Sequence, residues 1–403
     1  MIIEFLQWLE LLLGKTHPVG WLALFFVFVI SYVSIMRIES RGYEPQLSHV
    51  TEGRSQELVS AVLPFYDEET GLLVESIKSI RKQGVKEIVA VSDDPNDPAI
   101  SVVRPLVDQL LIYPERRGKR FCLAEGVKKT TGKFVLFVDS DTILTDGCVQ
   151  EMLRAFGHDW ARVGGVSTRH LIHDGEKDTL QGAYSSIIED DRWTLDRAFS
   201  KFGALTVLDG RCSMYRRVAI EEYVTSDGYL KERANGHIFI TGDDMQLTRH
   251  LNRSGWETRV SGGVAYTSAP SSLANFLKQQ LRWFRSGYHY FIADIKDGFY
   301  GASALYAFSQ LSYFLMPAVF IGVILHDVLF VPAPDGIIIP PVYAVLVAVV
   351  GSSMVSAAQQ MILRSKITLK YFFHAGFLGL LILLPISIYA FFTRKRQHLW
   401  LTR

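Results

Sequence analysis

The chain has 403 residues, long enough for two or three folding units at roughly 150 residues each. Lys plus Arg is 42 and Asp plus Glu is 41, a formal net charge of +1 that leaves no global electrostatic pull toward nucleic acid. Hydrophobic residues make up 49 % and charged residues only 21 %, which excludes a disordered chain, and three cysteines (Cys122, Cys148, Cys212) form neither an even disulfide framework nor a zinc-ligand pair.

The apolar excess is concentrated at the two ends. Residues 1–13 are apolar, with Glu4 and Glu10 on one side, and read as an interfacial or partly inserted helix. Residues 19–36 carry no charge and are about long enough for a ~30 Å hydrocarbon core. Arg37 and Arg41 follow, so the positive-inside bias places the chain from residue 37 onward in the cytoplasm. Residues 1–57 are expected to be a membrane-anchor region.

The middle of the chain changes character. The runs 58–63, 87–92, 109–113 and 133–138 are short and rich in β-branched and aromatic residues. Between them, Leu73, Ile77 and Ile80, and then Leu123 and Val127, repeat at helical spacing. Strand and helix alternating at this pitch predict βαβ units and a mostly parallel central sheet over 58–270, an α/β domain. Ligands of such sheets bind beyond the carboxyl ends of the strands. Those ends carry Tyr66-Asp67-Glu68, Asp93-Asp94 and Asp139-Ser140-Asp141. One Asp there commonly caps the next helix; three acidic clusters at three strand ends point to a site.

Asp139 and Asp141 straddle one residue, and hard oxygen ligands in that pattern suit Mg2+ or Mn2+ together with phosphate oxygens. Arg116-Arg117-Gly118-Lys119-Arg120 precedes a helix and reads either as a solvated basic loop or as a phosphate grip, with Lys119 or Arg120 opposing a diphosphate. No P-loop signature is present. Asp243 and Asp244 follow Gly242 at the head of a helical pattern; one Asp is explained by capping, and the pair points to a general base. Gln279, Arg282 and Trp283 lie in an aromatic, basic, amphipathic stretch over 271–300 that reads as interfacial helices.

Three apolar stretches follow, 302–331, 337–362 and 371–392, and with the tail they make up a membrane region over 301–403. Arg364, Lys366 and Lys370 place the connection between the second and third in the cytoplasm, and Arg394, Lys395 and Arg396 place the tail there too. A single crossing by 371–392 would put that tail outside; a re-entrant segment broken at Pro385 would not.

Taken in order, P-x-Y-x-E, D-D, G-K-R, D-S-D, G-D-D and Q-x-x-R-W resemble the processive family 2 glycosyltransferases, the group of hyaluronan, chitin and cellulose synthases. GDDMQLT followed by LKQQLRW resembles the hyaluronan synthases most. The tail Trp400-Leu401-Thr402-Arg403 is similar to their W-G-T-R segment, departing at Leu401, and Asp67 departs from the commoner Asn or Arg of the first motif. The resemblance implies a cytoplasmic GT-A-type domain flanked by transmembrane and interfacial helices in a multi-pass cell-membrane protein. It implies inverting, processive transfer from a UDP-sugar to a β-linked polysaccharide that is exported through the lipid bilayer. Single transfer to a lipid carrier is the alternative within this chemistry, and a transporter or scaffold with a degenerate transferase domain the alternative outside it. The same resemblance implies that Tyr66, Glu68 and Asp94 hold the uridine, with Asp93 beside them, and that Lys119 contacts the diphosphate. Asp141 would be the principal metal ligand, with Asp139 near both metal and ribose. Asp244, with Asp243 beside it, would be the base. Gln279, Arg282 and Trp283 would bind diphosphate and acceptor, Cys212 would sit under the acceptor sugar, and Trp400 and Arg403 would close over the nucleotide.

Overall fold

A computed structural model of the chain describes residues 35–36, 38–41, 43, 58–156, 162–234, 236–239, 241–298 and 378–396. The chain divides into two compact units, Glu39–Tyr306 with Ala390–Arg403, and Met1–Ile38 with Ala307–Tyr389.

The four runs of β-branched and aromatic residues form strands β1 (Val59–Phe65), β2 (Glu87–Ser92), β3 (Gln109–Ile112) and β4 (Phe134–Val138). They are paired in parallel in the order β3-β2-β1-β4. Helix α1 (Thr70–Lys82) crosses between β1 and β2, and α2 (Lys119–Lys129) between β3 and β4. The period-2 alternation of the strands sends their side chains to opposite faces. Ala61 and Leu63 of β1 pack with Leu73, Ile77 and Ile80 of α1, whereas Val62 packs with Leu123 and Val127 of α2. Helices on both faces bury β1 and β4 completely and β2 beyond Glu87, so these read as nearly continuous apolar runs, while the edge strand β3 is half-buried. Gly126 of α2 lies so close to β1 that a Cβ there would stand 2.3 Å from Val62 Cγ1.

Beyond β4 the sheet departs from the simple parallel expectation. It continues through β7 (Cys212–Arg216), β6 (Val163–Ile172), β10 (Glu257–Thr267) and β5 (Thr142–Leu144), eight strands in all. β7 runs antiparallel to both β4 and β6, β10 is parallel to β6, and β5 is antiparallel to β10. The sheet is therefore mixed, with its parallel half on the N-terminal side. Five further helices pack on it or beside it: α3 (Cys148–Ala155), α4 (Leu180–Lys201), α5 (Arg217–Val224), α6 (Asp243–Arg253) and α7 (Leu273–Asp297). A small hairpin, β8 (Arg233–Ala234) and β9 (His237–Ile238), precedes α6. α7 is one continuous helix of 25 residues, and its Arg285 donates to Thr393 Oγ1 (3.0 Å) and to the Arg396 carbonyl (3.2 Å).

Among the described residues no helix is long and apolar enough to cross a membrane. The expected segments 1–13, 19–36, 302–331, 337–362 and 371–392 lie outside the described residues, apart from 35–36 and 378–392. In that last piece a π-helical stretch, Leu378–Leu383, gives way to α8 (Leu384–Thr393) at Pro385. Proline has no N–H to continue the helical ladder, so the helix changes form beside it.

Candidate active site

The strand order 3-2-1-4 reverses direction between β1 and β4, and the crevice at such a point is where open α/β sheets take their ligands. The loops after β1, β2 and β4 meet there. Asp67 adopts a left-handed φ of 48° and donates its amide to Asp97 Oδ2 at 2.9 Å. That turn brings Glu68 back to the loop after β4, where Ser140 Oγ donates to Glu68 Oε2 at 2.7 Å. The Arg116 guanidinium sits 3.0 Å from the centroid of the Tyr66 ring.

Asp93 and Asp94 have different jobs. Asp93 is buried and its Oδ2 accepts from the amides of Arg117 (2.8 Å) and Gly118 (2.6 Å). It shapes the basic loop. Gly118 has φ 86°, a conformation that favours glycine, immediately before α2. Asp94 accepts from the Asn96 amide at 2.9 Å, a local turn contact at the mouth of the crevice.

The basic pair that follows splits. Lys119 points into the crevice: its Nζ lies 2.5 Å from Asp139 Oδ1 and 3.7 Å from Asp243 Oδ2, and donates to the Gly210 carbonyl at 3.3 Å. Burial lowers the pKa of this ammonium, but Asp139 and Asp243 raise it by more, so it is firmly charged. Arg120 points the other way. It is buried, pairs with Glu232 at 3.1 Å and donates to the Thr241 carbonyl at 2.7 Å and to Tyr290 Oη at 3.2 Å. The alternative that Arg120 opposes a diphosphate is thereby corrected: both of its terminal nitrogens are engaged inside the protein, fastening α2 to the loop before α6.

Asp139 ends β4, and its amide donates to the Arg211 carbonyl at 2.9 Å. Burial pushes its carboxyl up to about 6; Lys119 opposes the rise and Asp141 adds to it. Asp243 and Asp244 open α6 after Gly242 (φ 68°). A Cβ on Gly242 would come within 2.9 Å of Tyr290 Cε2, so α7 presses directly against this turn. Asp244 Oδ2 accepts from the Gly210 amide at 3.4 Å and its Oδ1 from the Met245 amide at 2.8 Å. Burial, then Asp243 and Asp209, push the Asp244 carboxyl up to about 6, against Lys119 and Arg192.

The crevice thus collects carboxylates from two distant segments around one ammonium. Carboxylate oxygens are the hard donors a divalent cation such as Mg2+ or Mn2+ takes, and Asp139, whose proton affinity burial and Asp141 raise, and Asp141 fit that set.

On α7, Trp283 is half-buried, with the Arg211 guanidinium 5.8 Å from its ring, which brings it to the turn before β7. Gln279 and Arg282 are half-buried on the same helix. Cys212 departs from its expected place under a sugar. It is fully buried in the hydrophobic core with Cys148, because the inward face of β7 meets α3 there. Trp400 and Arg403 lie outside the described residues.

Residue-by-residue reading missed one group altogether. His170, Glu189 and Asp209 bring potential ligand atoms within 4.8 Å of one another. Arg192 and Arg211 already answer the two carboxylates, Arg192 Nη1 at 2.5 Å from Asp209 and Arg211 Nη2 at 2.8 Å from Glu189, so the group is an ion-pair network. The available signal was Glu189, Arg192 and Asp196 at spacings of three and four, one charged face on a helix.

Comparison with known proteins accords with this geometry. Residues 60–224 match the family model described as glycosyl transferase family 2. An N-acetylglucosaminyltransferase of Azorhizobium caulinodans is 29 % identical over 379 residues, covering 86 % of this chain and 87 % of that protein. A hyaluronan synthase of Streptococcus pyogenes is 27 % identical over 341 residues, covering 81 % and 78 %. Among solved structures, a mannosyltransferase of Pyrobaculum calidifontis in complex with GDP-Man and Mn2+ superposes with a TM-score of 0.61 at 17 % identity, over 90 % of this chain and 97 % of that one, a likeness of fold that makes this domain GT-A-like. With its acidic clusters gathered at one sheet edge, the chain is a glycosyltransferase whose residues 60–224 match family 2.

Proposed function

We propose that the enzyme transfers sugar from a UDP-sugar to the end of a growing β-linked polysaccharide, with inversion at the anomeric carbon, and that the product leaves through the lipid bilayer. The observation that carries this reading is the placement of Asp244 beside Lys119 and Asp139 around Gly210. One carboxylate of raised proton affinity then faces the same space as the groups suited to a diphosphate.

In this reading Tyr66, Glu68 and Asp94 line the nucleoside pocket, and Asp93 holds the basic loop beside it. An acceptor hydroxyl oxygen attacks the anomeric carbon as the bond from that carbon to the diphosphate breaks. The hydroxyl proton passes to Asp244, and UDP leaves with the bonding electrons. A general base near its working pH contributes about 10²–10⁴ in rate. Lys119 offsets charge on the leaving diphosphate, together with Gln279 and Arg282. A divalent cation held by Asp141 and Asp139 supplies Lewis-acid stabilisation of that charge when bound. Trp283 offers an aromatic face to the acceptor ring, a contact that tolerates a chain of any length. Trp400 and Arg403 act as a closing tail.

Purified protein given UDP-sugars singly and in pairs, with UDP release and product length measured, tests the proposal. Release of UDP with a high-molecular-weight product is expected. Release with only a single-sugar adduct on a lipid overturns processivity, and no release with any UDP-sugar overturns the donor class.

A further inference from the structure

The network on α4 approaches Trp283 only through Arg211, whose guanidinium stands 5.8 Å from that ring, and it ends on the turn where the site's parts meet. That turn is Asp209-Gly210-Arg211. Its Gly210 amide donates to Asp244 Oδ2 at 3.4 Å, and its Gly210 carbonyl accepts from Lys119 Nζ at 3.3 Å. Its Arg211 carbonyl accepts the Asp139 amide at 2.9 Å. The preceding Leu208 amide donates to Thr248 Oγ1 at 2.8 Å, and Thr248 Oγ1 donates to the Asp244 carbonyl at 2.7 Å. Three consecutive residues therefore set the spacing of ammonium, base and the end of β4.

The turn has almost no apolar side chain to hold it down. What holds it is charge. Asp209 is buried, accepts the Arg211 amide at 2.9 Å and pairs with the Arg211 guanidinium. Arg211 reaches Glu189 of α4 at 2.8 Å. Arg192, also on α4, donates to Asp209 at 2.5 Å and lies 3.6 Å from Asp196. His170 Nδ1 stands 3.4 Å from Asp209 on the remaining side. Removing one partner of a buried pair leaves an uncompensated charge, and the chain moves to relieve it. Without Arg192, one Arg211 guanidinium would have to answer both Asp209 and Glu189.

We propose that Arg192 is a positioning residue: through Asp209 it fixes the Gly210 turn so that Asp244 and Lys119 stand at their working separation. The inference rests on Asp244 being the base. Displacements of about 1 Å at a reacting geometry cost on the order of 10²-fold in rate. The effect belongs in kcat, since Arg192 reaches neither the nucleoside pocket nor the basic loop.

The test is a set of four variants of the full-length enzyme, Arg192→Met, Arg192→Lys, Asp244→Asn and the double variant Arg192→Met with Asp244→Asn, each checked by thermal melting and by kcat and donor KM from UDP release. Arg192→Met is expected to lower kcat roughly 10–100-fold with donor KM within about threefold, and Arg192→Lys to recover at least part of the loss. In the Asp244→Asn background, Arg192→Met should add less than about threefold, because a device that acts through the base has nothing left to position. A folded Arg192→Met with wild-type kcat, or a full multiplicative loss in the double variant, overturns the proposal while leaving the base assignment intact. Near wild-type rate in Asp244→Asn alone overturns the base assignment, and the proposal with it. Should Arg192→Met fail to fold, Arg192→Gln replaces it, and wild-type kcat in that folded variant equally refutes the idea.

Discussion

Replacing Lys119 by Met tests the electrostatic logic of the whole crevice. The ammonium stands 2.5 Å from Asp139 and 3.7 Å from Asp243, with side chains mostly shielded from water. At an effective dielectric constant of about 20, the Asp139 pair alone is worth roughly 7 kcal/mol of Coulomb attraction before desolvation is subtracted. Measured losses on removing one partner of such a pair are about 3–5 kcal/mol, and the residual exposure here favours about 3. For a unit of this size that corresponds to a fall in melting temperature of roughly 5 °C at pH 8. The loss should shrink as pH falls. The Asp139 and Asp244 carboxyls titrate near 6, well above their unfolded values, so the folded state takes up protons before the unfolded state does. In the variant Lys119 no longer opposes that rise, and protonation below about pH 6 removes the repulsion it used to offset. Thermal melts of the purified protein at pH 8 and pH 5.5 are the assay, with the gap to wild type expected to narrow by about half at the lower pH. An unchanged melting temperature at pH 8, or a deficit independent of pH, would refute the pairing.

Asp244→Asn should lower kcat by about 10²–10⁴ with little change in donor KM. In the wild type, kcat/KM should fall about tenfold per pH unit below about 6, since the base acts in its deprotonated form; a profile flat down to pH 5 argues against it. Asp141→Asn should keep the melting temperature near wild type and abolish UDP release. Excess chelator should silence the wild type reversibly, with Mn2+ or Mg2+ restoring it, and full turnover in chelator would remove the metal assignment. Gly126→Ala should destabilise by about 1–3 kcal/mol, because its methyl would overlap Val62, and Val62→Ala should restore the loss when combined with it. Failure of that rescue in melting experiments would locate the strain elsewhere.

The parallel half of the fold was legible because its information is local. A strand such as Val59–Phe65 announces itself by composition, and a helix such as Thr70–Lys82 by the spacing of Leu73, Ile77 and Ile80. The order of the acidic motifs at strand ends was equally readable, since a βαβ chain must deliver each strand end to the same edge of the sheet. The mixed half was not. β7 lies antiparallel between β4 and β6, pairing residues 74 to 82 positions apart with β4 and 46 to 50 apart with β6, which no local pattern encodes.

Side-chain partnership was the other thing only tertiary structure decided. Lys119 and Arg120 are adjacent and chemically alike, but consecutive residues on a helix point about 100° apart. One therefore faces the carboxylates of the crevice, and the other turns to Glu232 and Tyr290 inside the protein. Cys212 stands on a strand face that β7's pairing aims at the core. Arg192 looks from the sequence like one more charge on a polar helix, and becomes significant only because α4 packs where Asp209 is buried without enough positive charge of its own. Composition and periodicity report what each residue prefers by itself; which opposite charge lies within 3 Å depends on the whole chain having closed around it.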